Sequence, residues 1–454
     1  VASFPRPSGL LLRGRALGDR LRESLLFIPS GMMVVAALIE RSLAQLDRRH
    51  AADQLPFLLR LSPEAAIALL STIAGATITT VGVVFSLIVV TLQLASGQFS
   101  PRVLRSYFRD WMGQLLVGLL AALFAYSVLC LRAVRPATAG QPLDVPDLAV
   151  NFAVLLTLLS VIVLVVFLHR LARRQYVGNL MAEITQETLA RLRDATAARS
   201  TATREAPPDV DRLGPPFVVR SHGDGWVQQV SSDGLLSAVP HASVARLDTR
   251  VGAYTVRGCP LLSIWPPPES PGAVERAVRG EVIIGPARTM QQDLDFGLRQ
   301  VADIGLRALS SAINDPTTAI EALLNIASVL RPLLLTDLPG RVRRDAHGSV
   351  LWRPWDLDHA EYVRHALIQF RHYGASDPFV AISLVRTLRM LLEAAERANR
   401  PEAIAELQRQ LSLTLEQCDR AGLLPDELGA VHAAATTPQE FVLPAAPPEQ
   451  KAVH

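Results

Sequence analysis

The chain has 454 residues, a formal net charge of +3 and a hydrophobic fraction of 50%. That length leaves room for more than one domain. A balance this close to neutral, with no clustering of arginine and a single lysine (Lys451), argues against a nucleic-acid partner. The three cysteines, Cys130, Cys259 and Cys418, stand too far apart for a disulfide framework or for metal-ligand spacing.

Apolar residues concentrate in the first third of the chain, which predicts a membrane domain over 1–175 followed by a soluble region. No cleaved signal peptide is expected, because the arginine-bearing opening stretch has no small-residue cleavage site after a short apolar core. Four spans are predicted, near 25–39, 65–96, 111–131 and 148–168. A helix needs roughly 20 apolar residues to cross a bilayer core. The first span is short and contains Pro29, whereas the second exceeds the requirement: no charged residue occurs between Glu64 and Arg102.

Thr72, Thr79, Ser86 and Gln93 recur at intervals of seven along the second span. Such residues share a helix face, drifting by about 20° per repeat. Gly75 and Gly82 lie close to that row. Two uses fit: a tight packing seam between membrane helices, or one wall of a water-filled path in an oligomer. Val83 and Val90 alternate with the polar positions and would form constrictions that gate by dewetting. Arg102, Arg105 and Arg109 follow at the mouth of the span, as a ring that attracts anions or as a flank touching anionic lipid. No apolar core of a span holds an ionisable residue, which argues against a proton-driven carrier.

Arginines before the first span, between the second and third (Arg102, Arg105, Arg109) and after the fourth (Arg170, Arg173, Arg174) outnumber those of the other two loops. This bias predicts cytoplasmic N- and C-termini in a multi-pass membrane protein.

Residues 176–208 are predicted as a helical extension and linker. Short apolar segments separated by Gly-Asp turns over 209–268 predict a small β-barrel or sandwich. The piece from Arg250 to Leu261 is similar to the glycine-bounded hairpin of lipoyl- and biotinyl-type barrels, but it has no lysine to carry such a group, so no cofactor is expected. A helical domain is predicted over 269–435, with helices over 293–313, 317–335, 358–373, 378–398 and 401–421 and a short one near Leu428; a disordered tail is predicted over 436–454. The fold class is thus a four-span membrane α-helical bundle with a cytoplasmic α+β region. Asn314-Asp315-Pro316 predicts a turn in which Asp caps and Pro opens the next helix.

Arg288, Gln292, Asp293 and Asp295 form one polar cluster, expected to be a helix cap with a neighbouring ion pair. Asp358, Glu361 and His365 share a helix face, with His372 further on, and are expected to form a solvated face. Phosphate loops, nucleophile elbows and paired-cysteine motifs are missing from the sequence, so no catalytic and no metal-ligating residues are assigned and no enzyme is expected.

Three stretches carry a family resemblance: Thr79-Thr-Val-Gly-Val-Val-Phe-Ser86 with Gln98-Phe-Ser-Pro-Arg102; Gly285-Pro-Ala-Arg-Thr-Met-Gln-Gln-Asp293-Leu-Asp-Phe-Gly297; and Arg307-Ala-Leu-Ser-Ser-Ala-Ile-Asn-Asp-Pro316-Thr-Thr-Ala319. The chain resembles, over nearly its whole length, the bacterial membrane-protein family catalogued as domain of unknown function 2254. The resemblance implies an inner-membrane protein with a cytoplasmic domain and brings no activity and no site residues. Two functions are therefore expected from the residues: a homo-oligomeric channel for ions or small solutes whose second span lines the path, or a membrane-anchored sensor or scaffold whose soluble domain binds a ligand or partner. The lipid bilayer is the one partner common to both.

Overall fold

The computed structural model describes residues 27–47, 60–98, 111–134, 146–174, 176–197, 206 and 208–436. Outside them lie Ser100, Arg102, Arg105 and Arg109, the arginines before the first span, most of the linker around 198–207 and the tail over 437–454. The chain forms two compact units that part between Tyr176 and Val177.

The first unit comprises α1 (Phe27–Asp47), α2 (Pro63–Gln98), α3 (Trp111–Ala133) and α4 (Asp147–Arg174). The most buried of the four is α3, which packs against the other three through residues such as Leu116, Leu120, Leu123 and Tyr126. Its Gly118 sits where α1 comes closest: an added Cβ would collide with Met32 and lie 3.3 Å from Pro29 Cα. Small residues at such a point let two membrane helices approach. Asp47, ending α1, accepts hydrogen bonds from the amides of Leu148 (3.1 Å) and Ala149 (3.4 Å), serving two orphan donors in the first turn of α4. The Tyr126 hydroxyl donates to the Ala149 carbonyl at 2.9 Å. Outward faces are aliphatic, with Val34, Leu38, Leu155 and Ile162 exposed, the pattern of a bundle whose solvent is hydrocarbon.

In the second unit come α5 (Val177–Ala197), β1 (Phe217–Arg220), β2 (Gly225–Val230), α6 (Ser232–Ala238), β3 (Val244–Leu247), β4 (Tyr254–Thr255), β5 (Pro260–Trp265), α7 (Pro271–Glu281) and β6 (Val282–Gly285). They are followed by α8 (Leu294–Ala308), α9 (Pro316–Leu335), β7 (Val342–Arg344), β8 (Val350–Trp352), α10 (His359–Gly374), α11 (Pro378–Arg397), α12 (Pro401–Arg420) and α13 (Pro425–Thr436). Five strands form a mixed sheet in the order β1-β5-β3-β8-β7, and three form an antiparallel sheet in the order β4-β2-β6. Both sheets and helices α6 and α7 share one apolar core that includes Val219, Val227, Leu235, Leu262, Ile264, Val278 and Leu351.

The sheet region extends beyond the β segment expected over 209–268 and includes helices. Ser232-Asp-Gly234, read as a turn, opens α6, because the Ser231 hydroxyl accepts from the Gly234 amide at 3.0 Å and caps a helix there. Helix α7, with Pro271 in its first turn, falls within the stretch expected to be helical, although no individual helix was placed there. Strand β8 comes from within the predicted helical domain and pairs in parallel with β3.

The remaining helices begin where the sequence places them. Asp293, Asp315, Asp358 and Asp377 cap α8, α9, α10 and α11, each accepting from an amide three residues on. Helix α8 stops at Ala308, short of the expected end, and the chain turns through Asn314, whose φ is 48°. The stretch expected as an extension, α5, packs against α8 and α9 of this unit, with the Thr185 hydroxyl 3.0 Å from Asn325 Oδ1. Among the described residues five helices are long and apolar enough to cross a membrane: α1 to α4 and also α9. The last is the central helix of the second unit, packed by α5, α8, α10 and α11, with Leu323, Ile326, Leu330 and Leu333 fully buried.

Candidate functional site

Two places bring polar residues into arrangements that ordinary packing does not require, one in each unit. In the first unit, α2 turns Ala66, Leu70, Ile73, Ala74, Thr77 and Val84 inward. Thr72, Thr79, Ser86 and Gln93 lie on the opposite, exposed side, as do Val83 and Val90. Gly75, Gly82 and Val89 are exposed as well, so positions 72, 75, 79, 82, 86, 89 and 93 make a stripe at alternating spacings of three and four. A Cβ at Gly75 or Gly82 would meet nothing within 4 Å, in contrast with Gly118. The hydroxyls are satisfied by their own helix: Thr72 Oγ1 donates to the Ala68 carbonyl at 2.7 Å and Thr79 Oγ1 to that of Gly75 at 2.9 Å. The row is therefore not a seam within its own bundle. Arg102, Arg105 and Arg109 fall outside the described residues.

In the second unit the two clusters read separately in the sequence meet. The loop over 286–293 is pinned to β2 by side-chain amides: Gln228 Nε2 donates to the Ala287 carbonyl at 2.7 Å, Gln292 Oε1 accepts from the Val230 amide at 3.0 Å, and Gln229 bonds Gln291. This holds the Arg288 guanidinium between the rings of Trp226 and Phe296, 5.7 and 5.2 Å from their centroids. Arg288 then bonds Asp293 through two nitrogens at 2.8 and 2.9 Å and reaches Asp295 at 3.0 Å. Asp293 also caps α8 through the Phe296 amide at 3.1 Å, so cap and ion pair are one device, as expected. Across 70 residues of sequence, Asp295 Oδ1 lies 3.0 Å from His365 Nδ1 on α10.

Burial works against the Asp295 carboxylate, but the hydrogen bond and charge of His365, and then those of Arg288, outweigh it and bring its pKa down to about 2. Burial pushes the Asp293 carboxyl up from its ordinary value against the pull of Arg288. With Asp295 ionised, Nδ1 of His365 is the donor, and Nε2 has no partner among the described residues. Gly252, with φ of 81°, carries the turn after β3 against this network; a Cβ there would collide with Asp293 Oδ2 and Arg288 Nη2.

His365 borders an open cleft of about 580 Å³ whose other walls are the Asp248–Pro260 segment and the chain around Trp355. Asp358 and Glu361 lie on the same side of α10, as their spacing predicts. Both belong to a capping box and face Arg341 at 3.4 and 3.5 Å, so they are helix-end residues before anything else. Among the described residues no group of three or more His, Cys, Asp or Glu side chains is gathered for a metal ion. Sequence reasoning missed Arg250, Tyr254 and Trp355 in this cleft; a tryptophan set between Pro354 and Asp356, outside any apolar run, was the available signal.

Residues 22–390 match the model of a family described as "Predicted membrane protein (DUF2254)". The chain belongs to this family. Uncharacterised proteins of Mycobacterium bovis and of two strains of Mycobacterium tuberculosis are 32% identical to it over 446 residues, which is 96% of this chain and 84% of each relative. No solved structure matches the chain. The family match spans all four apolar helices of the first unit, the stripe on α2, and the network from Arg288 to His365. Helices α12 and α13 lie beyond it.

Proposed function

We propose that the protein is a homo-oligomeric channel of the bacterial inner membrane for ions or small solutes. It crosses the membrane four times, through α1 to α4, with both termini cytoplasmic. One α2 from each copy faces the axis, with Thr72, Thr79, Ser86 and Gln93 toward the path and Val83 and Val90 as its dewetting constrictions. Arg102, Arg105 and Arg109 stand at its cytoplasmic mouth, and the second unit assembles or gates it; no catalytic step is part of the reading. One observation carries it: the polar and small residues of α2 face out of their own bundle. Against lipid such a row gains nothing, whereas against another copy it permits close approach. The coverage of α9 by four helices supports counting four spans rather than five.

Reconstitution tests the proposal directly. Thr79→Cys and Ser86→Cys in otherwise functional protein are expected to react with a water-soluble, membrane-impermeant thiol reagent and to lose conductance in planar bilayers on modification. Absence of conductance under any voltage or tension, together with unreactive cysteines at both positions, overturns it. The cleft of about 580 Å³ favours a second reading, a membrane-anchored sensor, which predicts ligand binding without conduction.

A further inference from the structure

The cleft in the second unit has an unbalanced set of charges. Its carboxylates are already engaged. Asp248 is bonded to Arg246 Nε at 2.7 Å and to the Ser263 hydroxyl at 2.5 Å. Asp358 and Glu361 accept from each other's amides and face Arg341. Arg341 is further spent on the Asp356 carbonyl at 2.7 Å. Arg250 is different: it has no carboxylate partner among the described residues and donates only to the Val251 carbonyl at 3.2 Å. Unspent hydrogen-bonding capacity in the cleft therefore includes the Arg250 guanidinium, a donor, and His365 Nε2, which accepts in the neutral ring and donates in the imidazolium; together they suit a phosphate ester, whose oxygens accept from the guanidinium and whose P–OH can donate to the ring.

Two aromatic rings border the same space without being buried by it. Tyr254 is 56% exposed and Trp355 60% exposed. Tyr254 is held at its edge by Trp226, with ring centroids 5.3 Å apart at 82°, and the part-buried Arg288 guanidinium lies over the Trp226 ring. Gly252 fixes the turn between Arg250 and Tyr254 against Asp293. One wall of the cleft is thus preorganised by the buried ion-pair network, as a binding site requires. Its volume falls within the range of roughly 300–1,000 Å³ typical of small-molecule sites and exceeds what a bare phosphate fills.

We propose that this cleft binds a nucleotide: Arg250 and His365 Nε2 hold the phosphate, and Trp355, the more exposed of the two rings, stacks on the base. Aromatic stacking of a base is worth about 1–3 kcal/mol and tolerates any base, so the site reads the class of ligand rather than one nucleobase. The proposal goes beyond the channel reading and does not depend on it, because every residue lies in the second unit and binding is measured without conduction.

Isothermal titration of the full-length protein in detergent with AMP, adenosine and inorganic phosphate tests it. AMP is expected to bind saturably and more tightly than either fragment. Arg250→Gln is expected to weaken AMP by roughly tenfold or more while leaving adenosine unmoved. Trp355→Ala is expected to weaken AMP and adenosine together and leave phosphate unmoved. Trp355 is exposed, so this variant keeps the test decisive even if the Arg250 variant folds poorly. Failure of AMP, GMP, CMP and UMP all to bind at about 1 mM overturns the proposal. So does phosphate binding as tightly as AMP, or AMP affinity unchanged in Trp355→Ala.

Discussion

The two units differ in where they place charge. On α2 the hydroxyls of Ser71, Thr72, Thr79, Thr80 and Thr91 each donate to a carbonyl of their own helix, three or four residues back. The second unit has such helix hydroxyls too, at Thr188 and Thr414, but it also buries carboxylates against charged partners: Asp293 and Asp295 with Arg288 nearby in sequence, Asp295 with His365 and Glu406 with Arg364 across longer separations. The difference follows from the solvent. In hydrocarbon a helix must be complete before it meets a neighbour, so polarity there says little about partners and shape says more. In water a charge can be buried only when its partner arrives with it, so the pairs record which elements fold together. The comparison also separates the glycines. Gly118 and Gly252 sit against side chains, whereas Gly75 and Gly82 open onto empty space.

Arg288→Ala breaks the second arrangement most severely. It leaves Asp293 and Asp295 buried without their shared cation, with an expected loss of about 3–5 kcal/mol. Amide exchange in the first turn of α8 is the readout, and Arg288→Lys is expected to recover part of the protection because it restores charge without the two-nitrogen fork. Protection unchanged in Arg288→Ala would mean that the network does not hold α8. Gly252→Ala is next, at about 2 kcal/mol or more, since it places a side chain in the left-handed region and drives a Cβ into Asp293. A melting temperature equal to that of the unsubstituted protein would contradict it.

Asp295 sets a pH test. Its folded-state value is depressed to about 2, so its contribution is full above the ordinary carboxylate value near ~3.9 and disappears as pH falls through about 2. The shift corresponds to about 2 kcal/mol. Denaturant unfolding between pH 5 and pH 2 is expected to show Asp295→Asn losing less stability than the unsubstituted chain by about that amount. Parallel losses in both proteins would remove the carboxylate from the account.

The legibility of the fold follows the same division. The third and fourth apolar helices start within a residue of where the sequence places them, because an uninterrupted apolar run marks a long helix, but the fourth runs on to Arg174, beyond the expected 168. Helices α8 to α11 were readable at their starts because an Asp cap, as at Asp315-Pro316 and Asp377-Pro378, is a local signal, and α12 because Pro401 opens it. Strand β8 was not, since its pairing with β3 joins residues about a hundred apart and leaves no periodicity in either segment. Yet Asp345 and Gly348, with φ of 80°, carried a turn signal between β7 and β8. Helix α7 had its own overlooked mark, Ser270-Pro271 before a charged amphipathic stretch. Of the cleft, Asp358, Glu361 and His365 were visible as one helix face, but the meeting of His365 with Asp295 was not, because no local pattern encodes a contact across 70 residues.

The smallest effect is expected at Gly82, and it bears most directly on what α2 faces. Within its own bundle the position is open, so Gly82→Leu meets no steric resistance. Leucine is also the better helix former by roughly 0.5–1 kcal/mol, so the fold of a single copy is expected to be unchanged or slightly firmer. A packed neighbour changes the sign. If α2 of another copy lies along the stripe from Thr72 to Gln93, the leucine holds the backbones apart, and the assembly dissociates while each copy stays folded. Cross-linking in membranes read beside thermal melting separates the two cases. Loss of cross-linked oligomer with an intact melt places a second protein copy on the stripe. Retention of the same oligomer with an intact melt means that the stripe faces lipid, and the axial role proposed for Thr79 and Ser86 falls with it.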